Sequence, residues 1–130
     1  MASIFTKIIN GEIPAYVVAE DENYFAFLDI FPTAKGHTLV VPKQQVDYMF
    51  DMEDQLLADL HVFSKRIAKA VEKVVSCKRI GTAVIGLEVP HTHIHLIPIN
   101  QISDIDFSRE KLKFSEEVMN NILNEIKANL

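Results

Sequence analysis

The chain has 130 residues, 48% hydrophobic and 24% charged, with a net charge of −5, which suits one domain with its own core over residues 1–130 and excludes a disordered chain. Its acidity leaves no footprint for a nucleic-acid polymer, and no apolar run reaches the roughly 18 residues of a membrane span. A lone cysteine, Cys77, cannot close an internal disulfide and fits a reducing cytoplasm; the opening MASIFTKIINGEIP lacks the basic start and apolar stretch of a signal peptide.

In chain order, Ile4, Phe5, Ile8 and Ile9 form a short helical pattern stopped by Asn10-Gly11. Ala15–Glu20 and Tyr24–Leu28 are β-rich runs about the polar Asp21-Glu22-Asn23, which predicts a hairpin. Asp29 to Gly36 reads as a loop, and His37–Val41 as a strand ending at Pro42. Leu56, Leu60, Phe63, Ile67, Val71 and Val74 lie on one stripe of a long amphipathic helix, with Asp51 as the expected N-cap. Arg79–Leu87 and His91–Pro98 are the fourth and fifth strands. Phe114, Val118, Ile122 and Ile126 predict a C-terminal helix over roughly 108–129. Five strands without regular βαβ alternation imply an α+β fold with an antiparallel sheet.

The fifth strand carries the chemistry. His91, His93 and His95 alternate with Thr92, Ile94 and Leu96, so the imidazoles should share one face, roughly 6.5 Å apart at Cα. Three readings are open. A neutral imidazole can attack phosphorus or an acyl carbon while its neighbours orient it, near neutral pH. Imidazoles can bind a metal, with only His37 and His61 left as further histidines. They can also be packed structural groups with satisfied hydrogen bonds.

PHTHIHLIP resembles the His-x-His-x-His signature of the histidine triad (HIT) nucleotide-binding proteins. SIFTKIINGEIPA is similar to that family's N-terminal segment, and FAFLDIFPTAKGHTLVVPK to its central block. The likeness covers about residues 3–98 and is nearest the Hint-like branch. It implies a HIT-like half-barrel sheet with one long central helix, a homodimer, and attack on the α-phosphate of a purine nucleotide derivative. By position, His93 matches the nucleophile that forms a nucleotidyl-histidine, and His91, His95 and His37 its supporting histidines. Asp29 matches the ribose-binding carboxylate, and Ile4, Phe5, Ile8, Phe27 and Ile30 the nucleobase pocket. Read without the likeness, Asp29 could be a turn former and Phe5, Phe27 and Ile30 plain core.

Two departures stand out. Many relatives hold a structural zinc through two N-terminal cysteines, a histidine after the Pro-Lys pair and the first triad histidine. Here Ser3, Thr6 and Gln45 take the first three places, so no metal or cofactor is expected. The loop before the triad is a compact GTAVIGLEVP, and its Glu88 could repel a phosphate. Alongside a hydrolase or transferase, therefore, a nucleotide-binding regulatory module with little turnover is carried as the alternative, and a metal-dependent hydrolase as the third reading.

Overall fold

Ser3 begins the first regular element: its hydroxyl accepts the amide hydrogen of Thr6 and caps helix α1 (Ile4–Ile9) in the computed structural model, which describes residues 1–130. Strands β1 (Val17–Glu20) and β2 (Tyr24–Leu28) form the expected hairpin. Its turn is held by Asp21, whose Oδ1 accepts the amide hydrogens of Asn23 and Tyr24 at 2.9 and 2.8 Å, the local bonding that favours Asp in turns. Strand β3 (Thr38–Pro42), helix α2 (Asp54–Val74), strand β4 (Arg79–Ala83), strand β5 (Ile94–Ile99) and helix α3 (Glu116–Ala128) complete the chain. The strands form one sheet in the order β1-β2-β3-β5-β4, antiparallel throughout.

Cross-strand register separates two faces. Ala26, Val40 and Ile94 lie in one row and point into the main core with Leu60, Ile67, Val71, Ile122 and Ile126 of the long helices. Leu60 and Ile67 are fully buried, which stabilises the fold by about 1.5–3 kcal/mol for each side chain. The next row runs Val17, Phe27, Leu39, His95, Ala83. It looks the other way, where Phe5, Phe25, Phe27, Leu39 and Val41 form a second apolar cluster. Both faces of β2 are thus covered, and all five of its residues are buried.

Strand β1 starts at Val17 rather than Ala15 and β3 at Thr38 rather than His37, and four further boundaries differ in ways that bear on the site or the core. The N-cap of α2 is Glu53, whose carboxylate accepts the amide hydrogens of Gln55 and Leu56; Asp51 is instead closed into a 3-10 turn, Met49–Asp51. Strand β4 ends at Ala83 rather than Leu87, because the chain bends away through Gly86, at φ +75°. Strand β5 starts at Ile94 rather than His91: the amides of His91 and Thr92 donate to Val89 and Val46, outside the ladder. Helix α3 starts after Ser115, whose hydroxyl accepts the Val118 amide hydrogen, and not near Ser108. Its buried stripe is Met119, Ile122 and Ile126, with Val118 exposed and Phe114 ahead of the helix.

Candidate active site

His95 stands on β5, on the face opposite α2, and His37, His91 and His93 reach it from two further segments. His37 arrives through a turn at Gly36, whose φ of +86° is the left-handed region where glycine is favoured; a β carbon there would also meet Val75 Cγ2 at 2.8 Å. His91 and His93 come from the bend before β5. Although neither lies within the strand, both rings still share the face of His95. Phe5 meets His91 and His93 edge-on, at 5.8 and 4.9 Å between centroids, and the rings of His93 and His95 are 5.0 Å apart. Ile94 and Leu96 point to the opposite core as expected.

Hydrogen bonds to backbone groups fix the tautomers of His37, His91 and His93, and the bond from His37 fixes that of His95. The Thr33 amide donates to His37 Nδ1 at 3.1 Å, so His37 carries its proton on Nε2 and donates it to His95 Nδ1 at 2.9 Å. His95 in turn keeps its proton on Nε2. His93 Nδ1–H donates to the His91 carbonyl at 2.7 Å, which leaves its Nε2 as a bare lone pair. His91 Nε2–H donates to the Pro42 carbonyl at 2.8 Å, and its Nδ1 accepts the Ser3 hydroxyl hydrogen at 2.7 Å. Among the four, only His93 has a lone pair with no partner.

Burial pushes His37 down to about 3, with His95 beside it adding to the effect. It likewise pushes His95 down to about 4, helped by His93. His91 is lowered by burial despite its bond to Pro42. These three rings are therefore neutral at pH 7, as the tautomers require. Asp29 is raised by burial, against the bond from the Phe31 amide and the nearby Lys111. Its Oδ1 accepts that amide hydrogen at 2.9 Å, the turn-forming role, while Oδ2 lies 3.7 Å from His37 Nε2, too far for a hydrogen bond.

Donor atoms of Asp29, His37 and His95 lie within 4.8 Å of one another, a span a metal ion could bridge. His37, however, could offer Nε2 to a metal only by moving its proton to Nδ1, which already accepts from Thr33. The zinc positions implied by the resemblance also converge. Thr6 Oγ1–H and the Ser3 amide both donate to Gln45 Oε1 at 2.8 Å, while Ser3 bridges to His91. One imidazole among two hydroxyls and an amide oxygen is not a zinc donor set, and these side chains already satisfy one another; they do not fit the ion. Installing S3C, T6C and Q45H together is expected to create a site taking one equivalent of zinc per chain, where the unaltered chain takes none. Metal analysis after dialysis reads the difference, and equal zinc in both proteins would contradict it.

Of the expected nucleobase residues, the structure brings Phe5, Phe27 and Ile8 into one cluster, with Phe5 and Phe27 at 5.6 Å, and of these Phe5 meets His93. Phe5 and Phe27 are buried, whereas Ile4 and Ile30 are exposed. A cleft of about 220 Å³ opens on His93 and His95 and is walled by Ile85–Val89. Glu88 borders this cleft, as do two residues the sequence reading missed, Phe107 and Lys111. The Phe107 ring lies 4.7 Å from that of His95. Neither carries a local signal, because each reaches the site only through the return of the chain after β5.

A HIT domain model matches residues 10–102. The chain is 48% identical over 105 residues to an uncharacterized HIT-like protein of Methanocaldococcus jannaschii, covering 73% of this chain and 77% of that one. It is 41% identical over 98 residues to the adenosine 5′-monophosphoramidase HNT1 of Saccharomyces cerevisiae, covering 75% of this chain and 62% of the yeast protein. Its fold superposes on the crystal structure of a Hit-like protein involved in cell-cycle regulation from Bartonella henselae with a TM-score of 0.85. That pair is 32% identical, with 98% of this chain and 96% of the other covered.

Proposed function

The chain belongs to the HIT family, and on that premise we propose that it hydrolyses purine nucleoside 5′-phosphoramidates or related nucleotidyl adducts, including dinucleoside polyphosphates, through His93. The observation that carries this reading is the unpartnered Nε2 of His93, held toward the cleft by the bond from Nδ1–H to the His91 carbonyl. That lone pair attacks the α-phosphorus, a P–Nε2 bond forms, and the bond from phosphorus to the leaving nitrogen breaks. The departing amine takes a proton from solvent. His95 Nε2–H donates to the phosphoryl oxygens, where charge gathers. Water then attacks phosphorus and gives up a proton to solvent, the P–Nε2 bond breaks, and the mononucleotide leaves with His93 restored. The Asp29 Oδ2 atom accepts from the ribose hydroxyls, and Ile4, Phe5, Ile8, Phe27 and Ile30 receive the base.

Acid-quenched mixtures with an adenosine phosphoramidate are expected to hold a chain heavier by one adenylyl group, mapped to His93 by peptide mass spectrometry. Turnover with the adduct on another residue would refute the assignment. A second reading, a binding module with little turnover, is favoured by Glu88 on the same cleft; AMP binding without turnover across these substrates would select it.

No helix is long and apolar enough to cross a membrane, and the single unpaired thiol, Cys77, supports a reducing cytoplasm. Two copies of the chain form the working unit. Tyr48, Phe50, Ile85 and Leu87 are exposed around a cleft of about 340 Å³ next to the free edge of β4, and an unpaired sheet edge beside an apolar patch suits self-association. Light scattering at micromolar concentration is expected to give twice the chain mass, reduced to one by F50E; a monomer at the outset would refute the dimer.

A further inference from the structure

After β5 the chain crosses back over the histidines as an irregular strap, residues 105–114, before α3 begins. It is pinned at several points. Ile105 Cδ1 sits so close to Gly81 that a β carbon there would come within 2.7 Å of it. Arg109 Nη2 donates to the Thr33 carbonyl at 3.0 Å, and the Leu112 amide to the Pro32 carbonyl at 2.8 Å. These bonds tie the strap to the same loop whose Thr33 amide sets the tautomer of His37. Between the anchors, Phe107 lies against His95, and Lys111 Nζ donates to the Phe107 carbonyl at 2.7 Å, 5.4 Å from the ring centre.

We propose that Lys111, carried over the histidines by this strap, is the cation that receives the phosphate of a ligand held at His93 and His95. The proposal rests on the phosphoryl-transfer reading of the cleft and names the group that makes an anion welcome there. Lys111 is the only lysine or arginine among the residues lining the cleft. Glu88 borders the same space, Asp29 lies beside His37, and the whole chain carries −5. His37 and His95 are neutral at pH 7 and bring no positive charge. Without Lys111, the charged side chains met by an entering phosphate would be carboxylates alone. An ammonium has three donors, so Lys111 can keep its bond to Phe107 and still offer two to phosphate oxygens. Its half-buried position within the cleft makes such bonds stronger than a fully exposed lysine would give.

Calorimetry with AMP, adenosine and inorganic phosphate on the full chain, K111Q and K111R tests this. For K111Q the Kd for AMP is expected to rise by about ten- to a hundredfold, as for loss of one hydrogen bond to a charged group. Adenosine, which has no phosphate, should bind both proteins alike, and K111R should recover most of the AMP affinity. Equal AMP affinity in K111Q and the unaltered chain would overturn the proposal. So would equal weakening of adenosine, which would mean that the strap only supports the fold. If the unaltered chain neither binds nor turns over nucleotides, the nucleotide reading fails by itself. Lys111 then stands on inorganic phosphate, which the unaltered chain must bind and K111Q must lose; phosphate binding in neither or in both would remove it.

Discussion

Replacing His93 by alanine is expected to slow AMP release from an adenosine phosphoramidate by at least about a thousandfold, the scale of losing a covalent nucleophile. The other three histidines cannot substitute for it. Both ring nitrogens of His91 are engaged, by Ser3 and Pro42, and both of His37, by Thr33 and His95. His95 accepts on Nδ1 and presents a proton, not a lone pair, on Nε2. His93 is 8% exposed and packs on Phe5, so alanine also leaves a small void. His93→Gln, which fills more of that space, provides the check, together with the thermal midpoints of both variants. AMP affinity should persist in both, because His95 and Lys111 remain. Rates within about tenfold of the unaltered chain would show that another group does the chemistry.

What the sequence disclosed depends on whether the signal was periodic. Alternation from His91 to Leu96 separates the histidines from Ile94 and Leu96 of the core, even though only His95 of the three lies inside the strand, while Thr92 bonds to the Val46 carbonyl instead of joining that core. The stripe from Leu56 to Val74 located α2, since each turn had to bury an apolar residue against the sheet. Its cap is Glu53 and not Asp51: both are acidic residues near the same helix start, and only backbone geometry decides which carboxylate meets free amides. In α3 a stripe that starts from Phe114 falls on Val118, but Ser115 caps the helix after Phe114, and Met119 takes the buried place beside Ile122 and Ile126. The strap was invisible for a different reason. Its Phe107 and Lys111 show no period, and their roles arise from bonds to Thr33 and Pro32, more than seventy residues earlier. Long-range return of an aperiodic segment leaves no trace in local pattern, so the presence of Phe107 and Lys111 on the cleft is legible only in the fold.

Acid should unfold this chain through the same histidines. The folded values of His37 and His95, about 3 and about 4, lie below the ordinary 6.5. Between those values and 6.5 the unfolded chain binds protons that the folded chain refuses, so stability falls as the pH drops below 6.5. The loss approaches about 1.4 kcal/mol per pH unit for each ring held neutral. At pH 4.5 that comes to about 2–3 kcal/mol from His37 and about 2 from His95, a large share of the roughly 5–15 kcal/mol typical of a domain. His91, also lowered, acts in the same direction. Asp29 acts in the opposite one: burial raises its pKa, so it is protonated earlier in the folded chain and returns part of the loss. Urea unfolding at pH 7 and pH 4.5 is expected to show a drop of several kcal/mol for the unaltered chain, and a clearly smaller drop for the H37Q, H95Q double variant. A drop below about 1 kcal/mol, or the same drop in both proteins, would mean that the pair is not held neutral by folding. The donor chain from Thr33 through His37 to His95 would then lose its basis, because a protonated His95 has no lone pair on Nδ1 to accept from His37.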